Sequence, residues 1–140
     1  MNEPAAGHRL SPHTADLRIE AWASTREQCL AEAVAALVDS FVDRPQPLPS
    51  TAVETTVPVD SDENMLVGVL EEVIYQSEVA GLVPIATEVA ATRGGLRMRF
   101  QMADLAAATP CGAVPKAVSL HRLRFRADSH GWRCAVTIDV

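Results

Sequence analysis

Residues 17–41 read LRIEAWASTREQCLAEAVAALVDSF, and the spacing of their apolar side chains changes once along this stretch. The first seven residues alternate between apolar and polar, which is typical of a strand with one buried face. From Leu30 to Phe41 the apolar residues recur every three or four positions, as on one side of an amphipathic helix. Thr25 and Gln28 have the spacing of a capping box, which marks where the helix begins. The stretch therefore predicts a strand followed by a helix.

The rest of the chain extends this pattern to a single domain over residues 1–140. A second helix is predicted to begin at Ser61 or Asp62 and to end at Gly81, since glycine is common just after a helix. Further strands are predicted at residues 51–59, 82–92, 96–102, 116–127 and 132–140. The order β-α-β-α-β-β-β-β predicts a two-layer α+β domain, with a mixed β-sheet of about six strands and two amphipathic helices packed on one face. We expect residues 1–9 to form a mobile leader.

Composition narrows the class of protein. The chain has 140 residues and a formal net charge of −6, with 48% hydrophobic and 4% aromatic residues. A domain of this length can bury a full hydrophobic core without disulfides or metal. The excess of acidic residues and the small number of aromatic residues argue against a primary role in binding nucleic acid or an anionic membrane. Such partners are held mainly by an excess of Lys and Arg and, for nucleic acid, by aromatic side chains that stack on the bases.

The cysteines and the first residues indicate the compartment. Cys29, Cys111 and Cys134 are odd in number and lack C-x-x-C spacing, so we expect neither a disulfide framework nor a zinc site. Residues 1–10 lack the apolar run of a signal peptide, and no segment has the ~18 apolar residues of a membrane span. We therefore expect a cytoplasmic protein in a reducing compartment.

Acidic groups fall at the ends of two predicted strands. Asp16 closes the motif HTAD, which begins at His13, and Asp139 and the α-carboxylate of Val140 end the last strand. If the first and last strands are neighbours, these oxygens meet in one place, and oxygen-only clusters suit Ca²⁺, Mg²⁺ or Mn²⁺. On spacing alone, the alternative is that these groups are unrelated and solvated, with His13 an ordinary surface residue.

Arginines alternate with apolar residues in two of the predicted strands. Arg122, Arg124 and Arg126 do so near the end of the chain, and Arg97 and Arg99 do so earlier. If these strands pair, the arginines form a basic stripe that could meet phosphates or an acidic protein surface. The alternative is the solvated face of a sheet whose other side is covered by helices.

The alternation in the strand with three arginines is out of phase near His121. Val118 and Leu120 fall on the side of the arginines, whereas His121 falls on the apolar side. A β-bulge near His121 would reconcile the two halves of the strand. We then expect His121 to be a buried, hydrogen-bonded histidine of the core.

Four short motifs resemble the archease family. They are HTAD at residues 13–16, DENML at 62–66, KAVSLH at 116–121 and the terminal VTIDV at 136–140. Their order and spacing resemble that family over residues 9–140, which is nearly the whole chain. The sequence departs from the family at Leu120, where an aromatic residue is usual.

The resemblance implies a function and a set of site residues. Archeases assist the RtcB-type RNA ligase, which joins ends bearing a 2′,3′-cyclic phosphate or 3′-phosphate to a 5′-hydroxyl in tRNA splicing and RNA repair. They promote GMP transfer to the ligase's active-site histidine and repeated turnover, without ligating RNA themselves. The resemblance thus implies an accessory protein, not an enzyme, with no strong direct binding of nucleic acid and none of membranes. It places a divalent cation, Ca²⁺ in a structure and Mg²⁺ or Mn²⁺ in the cell, at Asp16, Asp139 and Val140.

The partner surface and two alternative functions depend on the remaining polar residues. We expect the ligase to meet the chain at His13, His121, Arg122, Arg124 and Arg126. A metal-dependent hydrolase would instead use Asp16 with His13 or His121 as general base, in a cleft where polar groups converge. A chaperone-like protein-binding module would need a sizeable exposed apolar patch.

Overall fold

A computed structural model describes residues 5–12, 16–43 and 47–140, and within these ranges it contains two α-helices and nine β-strands. The helices are α1 (Arg26–Asp39) and α2 (Asp62–Tyr75). The strands are β1 (Gly7–Pro12), β2 (Asp16–Ala23), β3 (Val42–Asp43), β4 (Thr51–Pro58), β5 (Leu82–Thr92), β6 (Gly95–Asp104), β7 (Thr109–Pro110), β8 (Ala117–Asp128) and β9 (Gly131–Asp139).

The strands form antiparallel pairs in three sheets. A four-stranded sheet has the order β1-β2-β9-β8, and a three-stranded sheet has the order β4-β6-β5. The two-residue strands β3 and β7 pair with each other. The first and last predicted strands, β2 and β9, are therefore neighbours in the middle of the larger sheet, as the acidic-cluster hypothesis requires.

The α+β class is confirmed, and the arrangement of the sheets differs from the expected single mixed sheet of about six strands. Helix α1 contacts β2 and β9 of the larger sheet and β5 of the smaller one, and α2 contacts β8 and β4. Both helices thus pack against strands of two sheets, not on one face of a single sheet. The alternation of side chains shows which face of a strand is buried, but it carries no information about which strands pair.

The helix ends follow the predicted signals. The Thr25 hydroxyl accepts a hydrogen bond from the Gln28 amide at 3.1 Å, and the Ser61 hydroxyl accepts one from the Asn64 amide at 3.1 Å. These caps satisfy amides that have no partner within the helix. A short π-helical turn, Gln76–Ala80, extends α2 as far as Gly81, whose φ of 65° suits a residue without a side chain.

Packing in the core explains the alternation in β2 and the wide buried face of α1. Ile19, Ala21 and Ala23 of β2 are buried, as the alternating pattern predicts. The buried residues of α1 cover more than half of the helix circumference, because the helix touches both sheets. They are Cys29, Leu30, Ala33, Val34, Ala36, Leu37 and Val38.

Two expectations need correction, one for the first residues of the chain and one for His121. Residues 7–9 were expected in a mobile leader, but they belong to β1, which pairs with β2 along its whole length. The predicted bulge is present, since the register of β8 against β9 shifts between Ser119 and Arg124. His121 lies within that bulge and is exposed, so the expectation of a buried core histidine is wrong. The bulge removes His121 from the alternation that would have placed it inside.

Candidate functional site

The two aspartates of the predicted cation site face each other across the larger sheet. Asp16 opens β2 and Asp139 closes β9, and the two residues are direct partners in the antiparallel register. Partners of this kind lie on the same side of a sheet with Cβ atoms about 4.5–5.5 Å apart. Asp16 is half-buried and Asp139 is exposed, on the side of the sheet away from the core.

The residue after Asp139 completes the local arrangement. Val140 is half-buried and packs against the hydrophobic core, so its backbone is held next to the two aspartates. The carbonyl oxygen of Asp139 accepts a hydrogen bond from the Lys116 amide at 2.8 Å, which ties the end of β9 to the beginning of β8.

The donor set has the chemistry of a hard-cation site. Within the described ranges, no three His, Cys, Asp or Glu side chains come together to hold a metal ion. Asp16 and Asp139 place two carboxylates opposite each other on this side of the sheet. Oxygen donors alone suit Ca²⁺, Mg²⁺ or Mn²⁺, which complete their shells with water.

Arg18 lies on the same side of the sheet as Asp16, two residues further along β2. Its guanidinium donates to the Thr137 hydroxyl at 2.9 Å and to the backbone carbonyl of Arg122 at 3.0 Å. Arg122 sits in the β8 bulge with a φ of 59°, an uncommon value for a residue with a side chain. The bulge therefore presents a carbonyl that holds Arg18 beside the two aspartates.

The predicted arginine stripe is divided between the two sheets. Arg122, Arg124 and Arg126 are exposed on β8 of the larger sheet. Arg97 and Arg99 are exposed on β6, which pairs with β4 and β5 and not with β8. The five arginines therefore do not form the single stripe that pairing of their strands would produce.

The histidines of the site hypotheses are not brought to the aspartates by any described contact. His13 lies outside the described residues. The described hydrogen bond of His121 is made by its backbone amide, which donates to the Ser119 hydroxyl at 3.2 Å. A cavity of about 330 Å³ is lined elsewhere by Asp39, Val42, Asp43 and Cys111, none of which is a predicted site residue.

Sequence reasoning missed the polar link between the two helices. The Arg26 guanidinium donates to Asp62 and to Glu27, each at 2.8 Å, and the hydrogen bond to Asp62 raises the pKa of Arg26. Asp62 opens the DENML motif, so this motif begins with a residue that ties α2 to the start of α1. No local pattern shows this contact, because the two residues are far apart in the sequence.

The buried cysteines are structural. Cys29 and Cys134 are both buried, and Cys111 is exposed. A hydrogen bond with Cys29 and burial raise the pKa of Cys134 far above its ordinary value. A thiol in this state is a poor nucleophile.

Comparison with known proteins shows the family. The model of the Archease protein family matches residues 8–140. The chain belongs to the archease family. A probable archease of Mycobacterium tuberculosis is 48% identical over 139 residues, which cover 97% of this chain and 76% of that protein. An archease of Methanosarcina barkeri is 26% identical over 150 residues and covers all of both chains.

Solved structures show that the archease fold is shared. A structure from Thermotoga maritima, described as an archease and possible chaperone, matches with a TM-score of 0.70 at 21% identity, covering 100% of this chain and 98% of that one. The solution structure of protein 1598 from Methanobacterium thermoautotrophicum matches with a TM-score of 0.73 at 14% identity, covering 96% and 99%. In this archease, no helix of the described part is long and apolar enough to cross a membrane.

Proposed function

We propose that this archease is an accessory protein of an RtcB-type RNA ligase in tRNA splicing or RNA repair. In this proposal it promotes guanylylation and repeated turnover of the ligase by presenting a divalent cation. Asp16, Asp139 and the α-carboxylate of Val140 hold the cation. The observation that carries the proposal is the cross-strand pairing of Asp16 with Asp139.

The pairing favours a cation because of its electrostatic cost. Like charges directly opposite each other on a sheet are destabilising. In the described part of the chain, no Lys, Arg or His forms an ion pair with Asp16 or Asp139. Arg18 lies nearby, but its hydrogen bonds go to the neutral oxygens of Thr137 and Arg122. A bound divalent cation would offset the repulsion between the carboxylates.

In this proposal the ligase and this archease supply different groups to the reaction. GMP transfer from GTP develops charge on phosphate oxygens, and a bound cation supplies electrostatic stabilisation for that charge. The nucleophilic histidine belongs to the ligase. The side chains of this archease provide the carboxylates and fix them on two central strands, which is a rigid place for a site.

The two alternative functions have less support in the described structure. The hydrolase needs His13 or His121 as a general base beside Asp16. His121 is exposed in the bulge and its described hydrogen bond is made by the backbone amide, and His13 lies outside the described residues. The chaperone-like module agrees with the wording used for the Thermotoga maritima relative, "possible chaperone". It needs a contiguous apolar patch. The exposed large apolar side chains include Val59 after β4, Val79 in the π-helical turn and Leu120 in β8.

An Asp16→Asn variant tests the proposal. The change keeps the shape of the side chain and removes one negative ligand, so the fold should persist while stimulation of the ligase is lost. Single-turnover transfer of GMP to a cognate RtcB-type ligase measures the stimulation, and circular dichroism reports the fold. The matched control is Asp104→Asn, which changes an exposed aspartate at the end of a strand in the other sheet. Full stimulation by folded Asp16→Asn would contradict the proposal.

A further inference from the structure

The outward face of the larger sheet concentrates positive charge on an acidic molecule. The register places Arg18 opposite Thr137, and Arg126 opposite Arg133, on the side away from the core. We call this surface the arginine face. Its arginines are Arg9, Arg18, Arg124, Arg126 and Arg133, together with Arg122, which is exposed in the adjoining β8 bulge. These six are half of the 12 Lys and Arg residues of the chain, whereas the carboxylates of the same face, Asp16, Glu20, Asp128 and Asp139, are four of its 18 Asp and Glu residues.

Most of this charge is not neutralised within the described part of the chain. Arg9 lies 3.4 Å from a Glu20 oxygen and Arg133 lies 3.7 Å from an Asp128 oxygen. The other four arginines of the face have no carboxylate partner among the described residues. Arg18 is also fixed in place by two neutral oxygens, so its charge is positioned in advance for an anion.

Two guanidinium groups lie over the Trp22 indole near one end of the face. The guanidinium carbons of Arg9 and Arg133 lie 5.6 and 5.5 Å from the centre of the Trp22 ring. Cation–π contacts of this kind hold the guanidinium planes against the ring and order them. Ordered guanidinium planes can stack on nucleic-acid bases while their N–H groups reach phosphates.

We propose that the arginine face binds the phosphate backbone of single-stranded RNA. Arg124 and Arg126 are two residues apart on one strand, which separates them by about 7 Å. This repeat is comparable to the distance between successive phosphates in an extended strand. The positive face also reconciles RNA binding with the acidic composition, because the composition argument treats the charge as evenly spread. The negative remainder of the molecule keeps the affinity moderate and strongly dependent on salt.

The composition of the face distinguishes RNA from an acidic protein as the partner. The core of a protein–protein interface is depleted of charge and rich in exposed apolar and aromatic side chains. Interfaces with nucleic acid are more polar and much more positive. Besides the arginines, the register lines this face with Ser11, Thr137, Ser119 and Ala135, and with the carboxylates of Glu20 and Asp128 and of the aspartate pair. Its aromatic residue, Trp22, is covered by two guanidinium groups.

The position of the arginine face relative to the aspartates places one end of the bound RNA near the proposed cation site. The arginines begin at Arg18, two residues from Asp16, and continue away from the aspartate pair towards Arg126 and Arg133. A strand lying on the face would therefore bring one end next to the proposed cation site. The choice of RNA over other single-stranded polyanions rests on the proposed ligase function, whereas binding itself is tested without the ligase.

The test is fluorescence anisotropy with a labelled single-stranded RNA of roughly 12 nucleotides. The variant is Arg124→Gln with Arg126→Gln, and the matched control is Arg97→Gln with Arg99→Gln, which removes the same charge from exposed positions of the other sheet. We expect roughly tenfold weaker binding for the first pair at about 50 mM salt, with a slope of log K against log salt that is smaller by ~1.4. The control pair should bind nearly as well as the unchanged chain.

Three outcomes would overturn this inference. The first is equal RNA affinity for the two double variants, and the second is no binding of RNA by the unchanged chain at low salt. The third is a loss of ligase association in the Arg124 and Arg126 variant with RNA affinity unchanged, which would assign the face to an acidic protein surface. Since no ligase is present in the anisotropy experiment, failure here leaves the cation proposal standing, and the reverse also holds.

Discussion

Among the acidic residues, Asp16 and Asp139 are distinguished by having each other as cross-strand partners. Sequence reasoning placed both at strand ends, and the topology made them neighbours because β2 and β9 lie side by side. The same reasoning predicted the bulge at His121 but failed for its burial, since the phase of the alternation shows that a bulge is present and not which way a residue inside it faces. His13 belongs to the HTAD motif and lies outside the described residues, so its role stays a prediction.

A residue-scale prediction concerns the contact between Gly7 and Trp22. A Cβ atom at position 7 would lie 2.8 Å from Cζ2 of Trp22, closer than carbon atoms approach. Gly7→Ala should therefore displace the indole over which Arg9 and Arg133 lie, and lower the free energy of unfolding by about 1–3 kcal/mol. Urea unfolding followed by tryptophan fluorescence measures this. Gly94→Ala is the control, because no atom lies within 4 Å of a Cβ there, and equal stability of the two variants would contradict the packing account.

At the scale of elements, the caps were predictable and the sheets were not. Thr25 and Ser61 cap their helices as the local spacing indicates, because capping involves residues three apart. The split into two main sheets depends on contacts of α1 with both β2 and β5, which are distant in sequence. Strand β1 was missed because its sequence, GHRLSP, is short and lacks strong alternation of apolar and polar residues.

An element-scale prediction concerns the start of α2 and its response to acid. The Asp60 carboxylate accepts hydrogen bonds from the Ser61 amide at 2.7 Å and from the Asn64 side chain at 3.0 Å, and these lower the pKa of Asp60 below its ordinary value. Because the pKa is lowered in the folded state, the contribution to stability is present above the unfolded pKa of about 3.9 and is lost as pH falls through the folded value.

The Asp60→Ala variant measures this contribution. The free energy of unfolding should be lower than that of the unchanged chain near neutral pH, and the difference should shrink as the pH falls below about 3.9. Denaturant unfolding at a series of pH values gives the comparison, with Asp104→Ala as an exposed aspartate in the other sheet. A difference that grows in acid would show that the sign, and hence the role of the carboxylate, is misassigned.

At the scale of the whole molecule, charge is distributed unevenly. The net charge of −6 describes the chain as a whole, yet the outward face of the larger sheet carries Arg18, Arg124 and Arg126, which have no carboxylate partner among the described residues, next to two facing aspartates. Composition therefore predicted the class of the protein but not its surfaces, because the fold decides which charges are brought together. The family and the α+β class could be inferred from motifs and periodicity, whereas the arginine face needed the register of four strands.

The central claim is that Asp16, Asp139 and the α-carboxylate of Val140 hold one divalent cation, and calorimetric titration with Mn²⁺ or Ca²⁺ tests it most directly. The account predicts binding of one cation per chain, weakened at least roughly tenfold by Asp139→Asn and by any extension beyond Val140, which turns the α-carboxylate into an amide. Asp104→Asn should bind like the unchanged chain. Absence of binding, or equal affinity for Asp139→Asn and Asp104→Asn, would contradict the account.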